Sequence, residues 1–333
     1  MEKKQRIYFF DNLKAILILL VVIGHMIDLG SYKSDFIRFT YFFIYYFHMP
    51  LFIFITGYFS KNTIKCREQV FDRFFIPYVI LVVLSYLQIR FLLPVEEGIP
   101  GFRVLSPPSS LWFILALVIW KYLLHDLVKI RFVLFFSLIG GLLVGFSHEF
   151  RSILALGRIG VFTFFFLLGY YTKIEHIERI RKIPKLISAA SILVIGYIVY
   201  YLSCIKEIKL GNVLCNTHYD DNFSMEGFFY RGVYYIIATV MIIICINLAS
   251  NKKTIITTVG QRTFTIYYFH MFFVRFIESY GDNITIFKEN AGVYFLFVVV
   301  SSLLIVGLLN LKCVQTLYDK GVNLIKRLIL WPV

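Results

Sequence analysis

Titratable side chains are spaced at a helical repeat inside the apolar run DNLKAILILLVVIGHM, which covers residues 11–26. Lys14 and His25 are separated by about three full helical turns, and Asp11 falls on the same face. By helical rise, His25 stands about 22 Å above Phe10, inside an apolar layer about 30 Å thick. A histidine at that depth faces protein or water, and it titrates near neutral pH. The chemistry that this pattern indicates is proton abstraction from an attacking hydroxyl.

Two more histidines occupy comparable apolar stretches, His48 in FHMPLFIFITGYF and His270 in RTFTIYYFH. Each by itself is more typical of a hydrogen-bonded core histidine than of a catalyst. Three at similar membrane depths favour a common site, so we predict that His48 and His270 bind substrate or support His25. Neither an HExxH pattern nor paired cysteines occur with them, so no metal site is predicted.

A basic cluster follows the second apolar run, in SKNTIKCREQVFDRFFIPY. A bias of basic loops toward the cytoplasm explains such a cluster without any site. A guanidinium at the start of an apolar helix can also hold a phosphate with two hydrogen bonds. We predict that Arg73, Arg67 and Lys61 bind phosphate, and that Arg158, in LGRIGVFTFFFLLGYY, supports the substrate site.

The composition identifies the class of protein that must position these groups. Of 333 residues, 59% are hydrophobic and 16% are charged, whereas soluble chains carry about a quarter charged residues. We predict an all-α, polytopic integral membrane helical bundle without nucleic-acid binding, because the net charge of +14 follows the loops. The ten predicted transmembrane helices cover residues 10–29, 41–59, 75–94, 110–125, 132–147, 154–171, 186–204, 228–248, 258–278 and 291–311.

Lysines and arginines concentrate in alternate connecting segments, beginning with Lys3, Lys4 and Arg6. Because basic loops stay cytoplasmic, this pattern predicts that both termini are cytoplasmic. We predict two parts, a transmembrane domain at 1–312 and an amphipathic tail at 313–333 that lies along the inner leaflet. The predicted location is the plasma or inner cell membrane.

The basic cluster and the histidines indicate a long donor molecule. Phosphates would be held at the cytoplasmic face, and the proton would be abstracted about 20 Å away. Coenzyme A thioesters have this shape and are made in the cytoplasm.

Six stretches carry a family resemblance: RIYFFDNLKAILILLVVIGHM, FHMPLFIFITGYF, REQVFDRFFIPY, LWFILALVIW, VFTFFFLLGYY and VGQRTFTIYYFH. In this order they resemble the membrane-bound acyltransferase-3 family, in particular its fucose 4-O-acetylase-like branch, over residues 6–271. The resemblance implies about ten membrane helices and transfer of acetyl groups from acetyl-CoA to sugars of surface glycans.

The resemblance also implies roles for individual residues. Its first-helix motif, a basic residue, ten intervening residues and a histidine, makes His25 the catalytic histidine and Lys14 its charged companion, with lysine where many members have arginine. Asp11 would orient Lys14 or help to hold the donor. The paired arginines of the family correspond to Arg67 and Arg73, which are more widely spaced here, so Arg73 is the better phosphate ligand.

These observations predict a membrane O-acetyltransferase that moves acetyl from cytoplasmic acetyl-CoA to a hydroxyl of a surface polysaccharide or lipid-linked glycan. Direct transfer and an acetyl-histidine intermediate both fit. The alternatives are a transporter or channel for a small anion or protons that uses the same histidines, and a catalytically silent scaffold. The expected partners are a carbohydrate acceptor and the lipid bilayer. Homo-oligomers and glycan-assembly partners are left open.

Overall fold

The structure is a computed structural model that describes residues 8–29, 34–94, 102, 104–105, 110–147, 154–214, 219, 225–281 and 290–329. In chain order, its α-helices are α1 Tyr8–Asp28, α2 Asp35–Tyr58, α3 Thr63–Glu68, α4 Ile76–Phe91, α5 Trp112–Leu127, α6 Val133–Leu143, α7 Leu156–Tyr171, α8 Ile174–Arg181, α9 Lys185–Tyr200, α10 Leu210–Leu214, α11 Met225–Leu248, α12 Ile256–Gln261, α13 Thr263–Gly281, α14 Ala291–Leu309 and α15 Lys312–Ile329. A π-helical turn, Phe71–Phe75, leads into α4, and another, Tyr201–Ile205, follows α9.

The described residues contain helices and no strand, as the all-α prediction requires. Each of the ten predicted segments holds a helix. Within the described residues, six helical segments are long and apolar enough to cross a membrane: Tyr8–Asp28, Asp35–Tyr58, Phe71–Phe91, Lys185–Ile205, Met225–Leu248 and Ala291–Leu309. Two shorter apolar helices cover Val133–Phe146 and Leu156–Tyr171.

The chain is therefore a membrane protein with several spanning helices. The number ten and the cytoplasmic termini stay predictions. The basic residues Lys3, Lys4 and Arg6, like the last four residues of the predicted tail, lie outside the described residues. Most of that tail is helix α15.

The chain divides into two compact units. The first consists of Met1–Phe52, Thr172–Ile208 and Ile237–Tyr318, and the second of Ile53–Tyr171, Lys209–Ile236 and Asp319–Val333. In the first unit, α1 packs against α12, α13 and α14. In the second, α3 packs on α5, and α6 packs on α7.

Two close helix approaches depend on glycine. In the first unit, a Cβ on Gly260 would stand 1.7 Å from the carbonyl oxygen of Asp11, so α12 lies directly on the backbone of α1. In the second unit, a Cβ on Gly169 would stand 2.0 Å from the carbonyl oxygen of Phe54. Small residues at such positions let helices approach closely in membranes.

The second unit also buries a complete arginine side chain. Arg231 is 0% exposed, and its guanidinium donates to the backbone carbonyls of Val213 and Gly141, each at 3.1 Å. The ring of Tyr219 lies 4.4 Å from the guanidinium carbon. A cation that is buried this way has its donors used by carbonyls, so Arg231 joins α11 to α6 and α10 within this unit.

Candidate active site

The face of α1 that carries Asp11, Lys14 and His25 lies in the first unit. Lys14 Nζ lies 2.8 Å from Asp11 Oδ1, one helical turn away. The Asp11 side chain is buried and that of Lys14 is 23% exposed. The ion pair therefore compensates a carboxylate that has left water, as a buried charge requires.

Asn12, which the sequence analysis overlooked, fixes this end of α1. Its side-chain amide donates to the backbone carbonyls of Ser250, at 2.8 Å, and Lys252, at 2.9 Å. Its amide oxygen accepts from the hydroxyl of Thr257 at 2.7 Å and from that of Thr254 at 3.3 Å. Only a side chain with both donors and an acceptor can satisfy this set. A polar residue directly beside Asp11 within an apolar run was the signal for it.

His25 and His270 are brought together by the packing of α1 against α13. The centroids of their rings are 5.4 Å apart and the ring planes are inclined by 36°. His270 is fully buried, whereas His25 is half-buried and therefore the more accessible ring. Of the histidines that the sequence singled out, this is the pair in direct contact.

The ring of His270 is held by its own helix. Nδ1 lies 2.7 Å from the carbonyl oxygen of Tyr267 and 3.2 Å from that of Ile266. A carbonyl oxygen only accepts, so Nδ1 carries the proton and Nε2 carries the lone pair. This buried Nε2 has no hydrogen-bond partner among the residues that the structure describes.

His48 is joined to α1 through an intervening aromatic ring. His48 is buried, and its Nδ1 lies 2.7 Å from the carbonyl oxygen of Ile44. The ring of Tyr45 packs edge-on against it, with centroids 4.9 Å apart. A Cβ on Gly24 would stand 2.9 Å from Cε2 of that tyrosine. Tyr45 therefore fills the space between His48 and the residue that precedes His25.

Hydroxyl groups fasten the end of α1 beyond His25. Tyr41 donates to Asp28 Oδ1 at 3.2 Å. From α14, the hydroxyl of Tyr294 lies 2.8 Å from the carbonyl oxygen of Met26 and 3.1 Å from that of Ile27. The turn of helix that carries His25 is thus tied to α2 and α14.

The basic cluster lies in the second unit, where Arg67 already has a carboxylate partner. Its Nη2 pairs with Asp126 Oδ2, and its Nε donates to the carbonyl of Tyr122 at 2.9 Å. The hydrogen bonds from Arg67 and Lys129 lower the pKa of Asp126 to about 2. A phosphate at Arg67 would have to compete with this carboxylate.

Lys61, like Arg67, already has hydrogen-bond partners within the protein. Its Nζ donates to the carbonyls of Gly169, at 3.3 Å, and Tyr170, which are left without donors at the end of α7. Partial burial lowers the pKa of this ammonium group from its usual value. Arg73, in the π-helical turn, is exposed, and no described carboxylate forms an ion pair with it.

Lys121 is a second residue that the sequence analysis did not assign to the site. It is 9% exposed, and its Nζ donates to the Ser60 hydroxyl at 2.8 Å. The same ammonium lies 5.4 Å from the ring centroid of Phe74, and it is close enough to Arg73 for the two positive charges to interact. Two cations thus lie near each other around the start of α4, an arrangement that suits an anion.

Arg158 lies apart from this basic cluster, near the start of α7. Its guanidinium carbon lies 5.5 Å from the ring centroid of Trp112, a cation–π contact within the second unit. Among the described residues, no group of three or more histidines, cysteines or carboxylates could hold a metal ion.

Comparison with known proteins identifies the family. The family described as "Acyltransferase domain" matches residues 7–311. The nodulation protein NolL of Sinorhizobium fredii (strain NBRC 101917 / NGR234) is 50% identical over 58 residues, which is 16% of this chain and 16% of that protein. The matched stretch thus spans about a sixth of that relative, and no solved structure matches the chain. Because the family covers nearly the whole membrane chain, the protein belongs to this acyltransferase family.

Proposed function

We propose that the protein is a membrane O-acetyltransferase that moves an acetyl group from acetyl-CoA to a sugar hydroxyl of a surface polysaccharide or lipid-linked glycan. Family membership supports acyl transfer in a membrane. The observation that carries the proposal is the contact between the half-buried His25 and the buried His270, because acyl transfer to a hydroxyl needs a base in a site that excludes water.

In the proposed mechanism, one ring nitrogen of His25 takes the proton of the acceptor hydroxyl while its oxygen attacks the thioester carbonyl. The new C–O bond forms, the C–S bond breaks, and the proton passes from His25 to the departing thiolate. No serine or cysteine nucleophile is required. The stepwise route, in which His25 is itself acetylated first, uses the same residue and is separated from direct transfer by trapping labelled acetyl on His25.

Lys14 and Asp11 act at a distance from this proton transfer. Lys14 stands eleven positions before His25, which is a rise of about 16 Å along α1. We therefore assign Lys14 to binding the donor, with Asp11 holding its ammonium group in place at 2.8 Å. His48 supports the site through Tyr45, which lies against Gly24.

For the donor phosphates, we propose Arg73 as the principal ligand, with Lys61 and Arg67 in secondary roles. Arg73 is exposed, whereas Lys61 binds the end of α7 and Arg67 pairs with Asp126. These cations are chemically suited to the phosphates of acetyl-CoA. Arg158 is assigned to supporting the acceptor.

We further propose that the enzyme belongs to the fucose 4-O-acetylase-like branch, has ten transmembrane helices with cytoplasmic termini, and resides in the plasma or inner cell membrane. The tail at 313–333 would lie along the inner leaflet, although α15 also contacts α13 through the hydrogen bond from Thr265 to Gln315 at 2.6 Å.

The test is transfer of radiolabelled acetyl from acetyl-CoA into membrane-associated glycan, in vesicles that hold either wild-type protein or His25→Ala at matched expression. We expect alkali-labile label in a sugar only with the wild type. Equal incorporation by both proteins would make His25 a structural residue. Absence of label from both would contradict the assigned donor or acceptor.

A further inference from the structure

We infer that His270 is the positioning residue of the catalytic base: its Nε2 accepts a hydrogen bond from the ring N–H of His25, opposite the nitrogen that takes the hydroxyl proton. This inference rests on the proposed function for the role of His25. It assigns to His270 a defined atom and a defined direction of hydrogen bonding.

The hydrogen bonds of His270 leave one of its ring nitrogens as an acceptor. Its Nδ1 is committed to the carbonyls of Tyr267 and Ile266, which leaves a lone pair on Nε2. That Nε2 is fully buried and has no hydrogen-bond partner within the described part of the chain. A buried acceptor without a donor is unfavourable, so a donor that can reach Nε2 would be bound there.

The ring of His25 lies at the distance at which it can donate to this nitrogen. Two imidazole rings joined in line by an N–H···N hydrogen bond of ordinary length have centroids about 5 Å apart. The centroids of His25 and His270 are 5.4 Å apart, with the planes inclined by 36°. The separation of the two rings therefore matches the one that such a hydrogen bond requires. Because Nε2 of His270 is buried, a donor within the protein reaches it more easily than an external ligand does.

A histidine that acts as a base needs a hydrogen-bond acceptor for its other ring nitrogen. A neutral imidazole accepts a proton on one nitrogen only if the other already bears one, and that second N–H requires an acceptor. Bases in such sites are commonly oriented by a third group. His270 would keep the accepting nitrogen of His25 directed at the hydroxyl and would stabilise the imidazolium after proton transfer. No proton passes to His270 itself.

Other polar groups lie near this pair on its own two helices and on two helices packed beside them. They are Asp28 on α1, Tyr45 and His48 on α2, Tyr294 on α14 and Arg275 on α13. Tyr45 lies against Gly24, and Tyr294 donates to the backbone of Met26 and Ile27. Among the described residues, His270 is the one that offers an orphaned nitrogen acceptor in ring contact with His25.

The test separates the two nitrogens of His270 with two substitutions. His270→Asn keeps an amide near Nδ1 that can donate to the Tyr267 carbonyl, but it has no acceptor at the position of Nε2. His270→Gln reaches that position with an amide oxygen and loses the group near Nδ1. We expect His270→Asn to lower kcat about tenfold or more, and His270→Gln to recover a substantial part of the rate. Thermal unfolding in detergent checks that both variants are folded.

The second readout is the pH dependence of the transfer rate. Losing the acceptor destabilises protonated His25, so the acidic limb of the rate profile should move to lower pH by about one unit in His270→Asn. His270→Gln should keep the wild-type profile, and so should the control His176→Gln, at an exposed histidine on α8. If Asn retains more activity than Gln and the profile does not move, His270 only holds its own helix and the inference is wrong.

A measurement without turnover keeps this inference distinct from the proposed function. In protein labelled with ¹⁵N-histidine, magnetic resonance should find His270 neutral and protonated at Nδ1, and His25 should titrate at lower pH in His270→Asn than in wild type. If these shifts occur but no acetyl is transferred by wild type, the proposed function fails and the pairing stands. If acetyl transfer depends on His25 while its titration is the same in both proteins, the pairing alone fails.

Discussion

Asn12 on α1 accepts a hydrogen bond of 2.7 Å from Thr257 on α12, across 245 residues of chain. The same side chain donates to the carbonyls of Ser250 and Lys252. One amide thus holds the turn before α12 against the helical turn that carries Asp11. This places the Lys14–Asp11 pair next to a rigid support, since the Asn12 amide has partners for both its donor and its acceptor.

Substituting Asn12 by Leu should destabilise the first unit, because two backbone carbonyls and two threonine hydroxyls lose their hydrogen bonds to this buried side chain. We expect a loss of about 2–4 kcal/mol in the free energy of unfolding. Thermal unfolding in detergent measures it. Asn251→Ala, at an exposed neighbour, is the control and should change stability by less than about 0.5 kcal/mol. Equal stability of Asn12→Leu and wild type would contradict this role.

Gly260→Ala should separate α12 from α1. The added Cβ would stand 1.7 Å from the carbonyl oxygen of Asp11, so one of the two helices must move, at a cost of about 1–3 kcal/mol or more. Gly307→Ala on α14 is the matched control, because its Cβ would meet nothing within 4 Å. A stability difference should appear between these two variants, and its absence would show that the close approach is not made.

For the Lys14–Asp11 pair, replacing one member should have a larger effect on stability than replacing both. Lys14→Met leaves the buried Asp11 carboxylate without its cation, so it should lower stability more than the double substitution with Asp11→Asn does. Both should lose acetyl transfer, because the proposed donor contact is gone, whereas Lys14→Arg should keep most of it. A double variant that is less stable than Lys14→Met would contradict the pairing.

Arg73 and Arg67 should differ in their effect on donor binding. Arg73→Ala should raise KM for acetyl-CoA about tenfold, because a charge-assisted contact to phosphate is lost. Arg67→Ala should raise it less, since this guanidinium already pairs with Asp126. Transfer kinetics over a range of acetyl-CoA concentrations measure both values. The reverse order would assign the phosphates to Arg67 instead.

The Arg67–Asp126 pair also predicts a pH dependence. The pKa of Asp126 is lowered from 3.8 to about 2 by hydrogen bonds from Arg67 and Lys129. A lowered carboxylate pKa stabilises the folded state above the unfolded pKa, and this contribution is lost as the pH falls from about 4 to about 2. Asp126→Asn should therefore show a weaker fall in unfolding temperature across this window than wild type. Identical slopes in the two proteins would exclude the linkage.

Local patterns predicted much of the architecture. Apolar runs of membrane length predicted the helices, because a backbone in lipid must satisfy its own hydrogen bonds. Helical periodicity alone put Lys14, His25 and Asp11 on one face, since neighbours along one helix are related by a fixed rotation. Six ordered stretches sufficed to recognise the family to which residues 7–311 belong.

Tertiary packing decided which of these residues meet. His25 touches His270 and not His48, and Asn12 finds partners more than 230 residues away, because the helices that carry them pack side by side. Packing likewise commits Arg67 to Asp126 and buries Lys121 beside Ser60. A sequence determines the face on which a side chain stands, through the regular geometry of its own helix. The neighbour on that face is determined by long-range contacts, which no local spacing encodes.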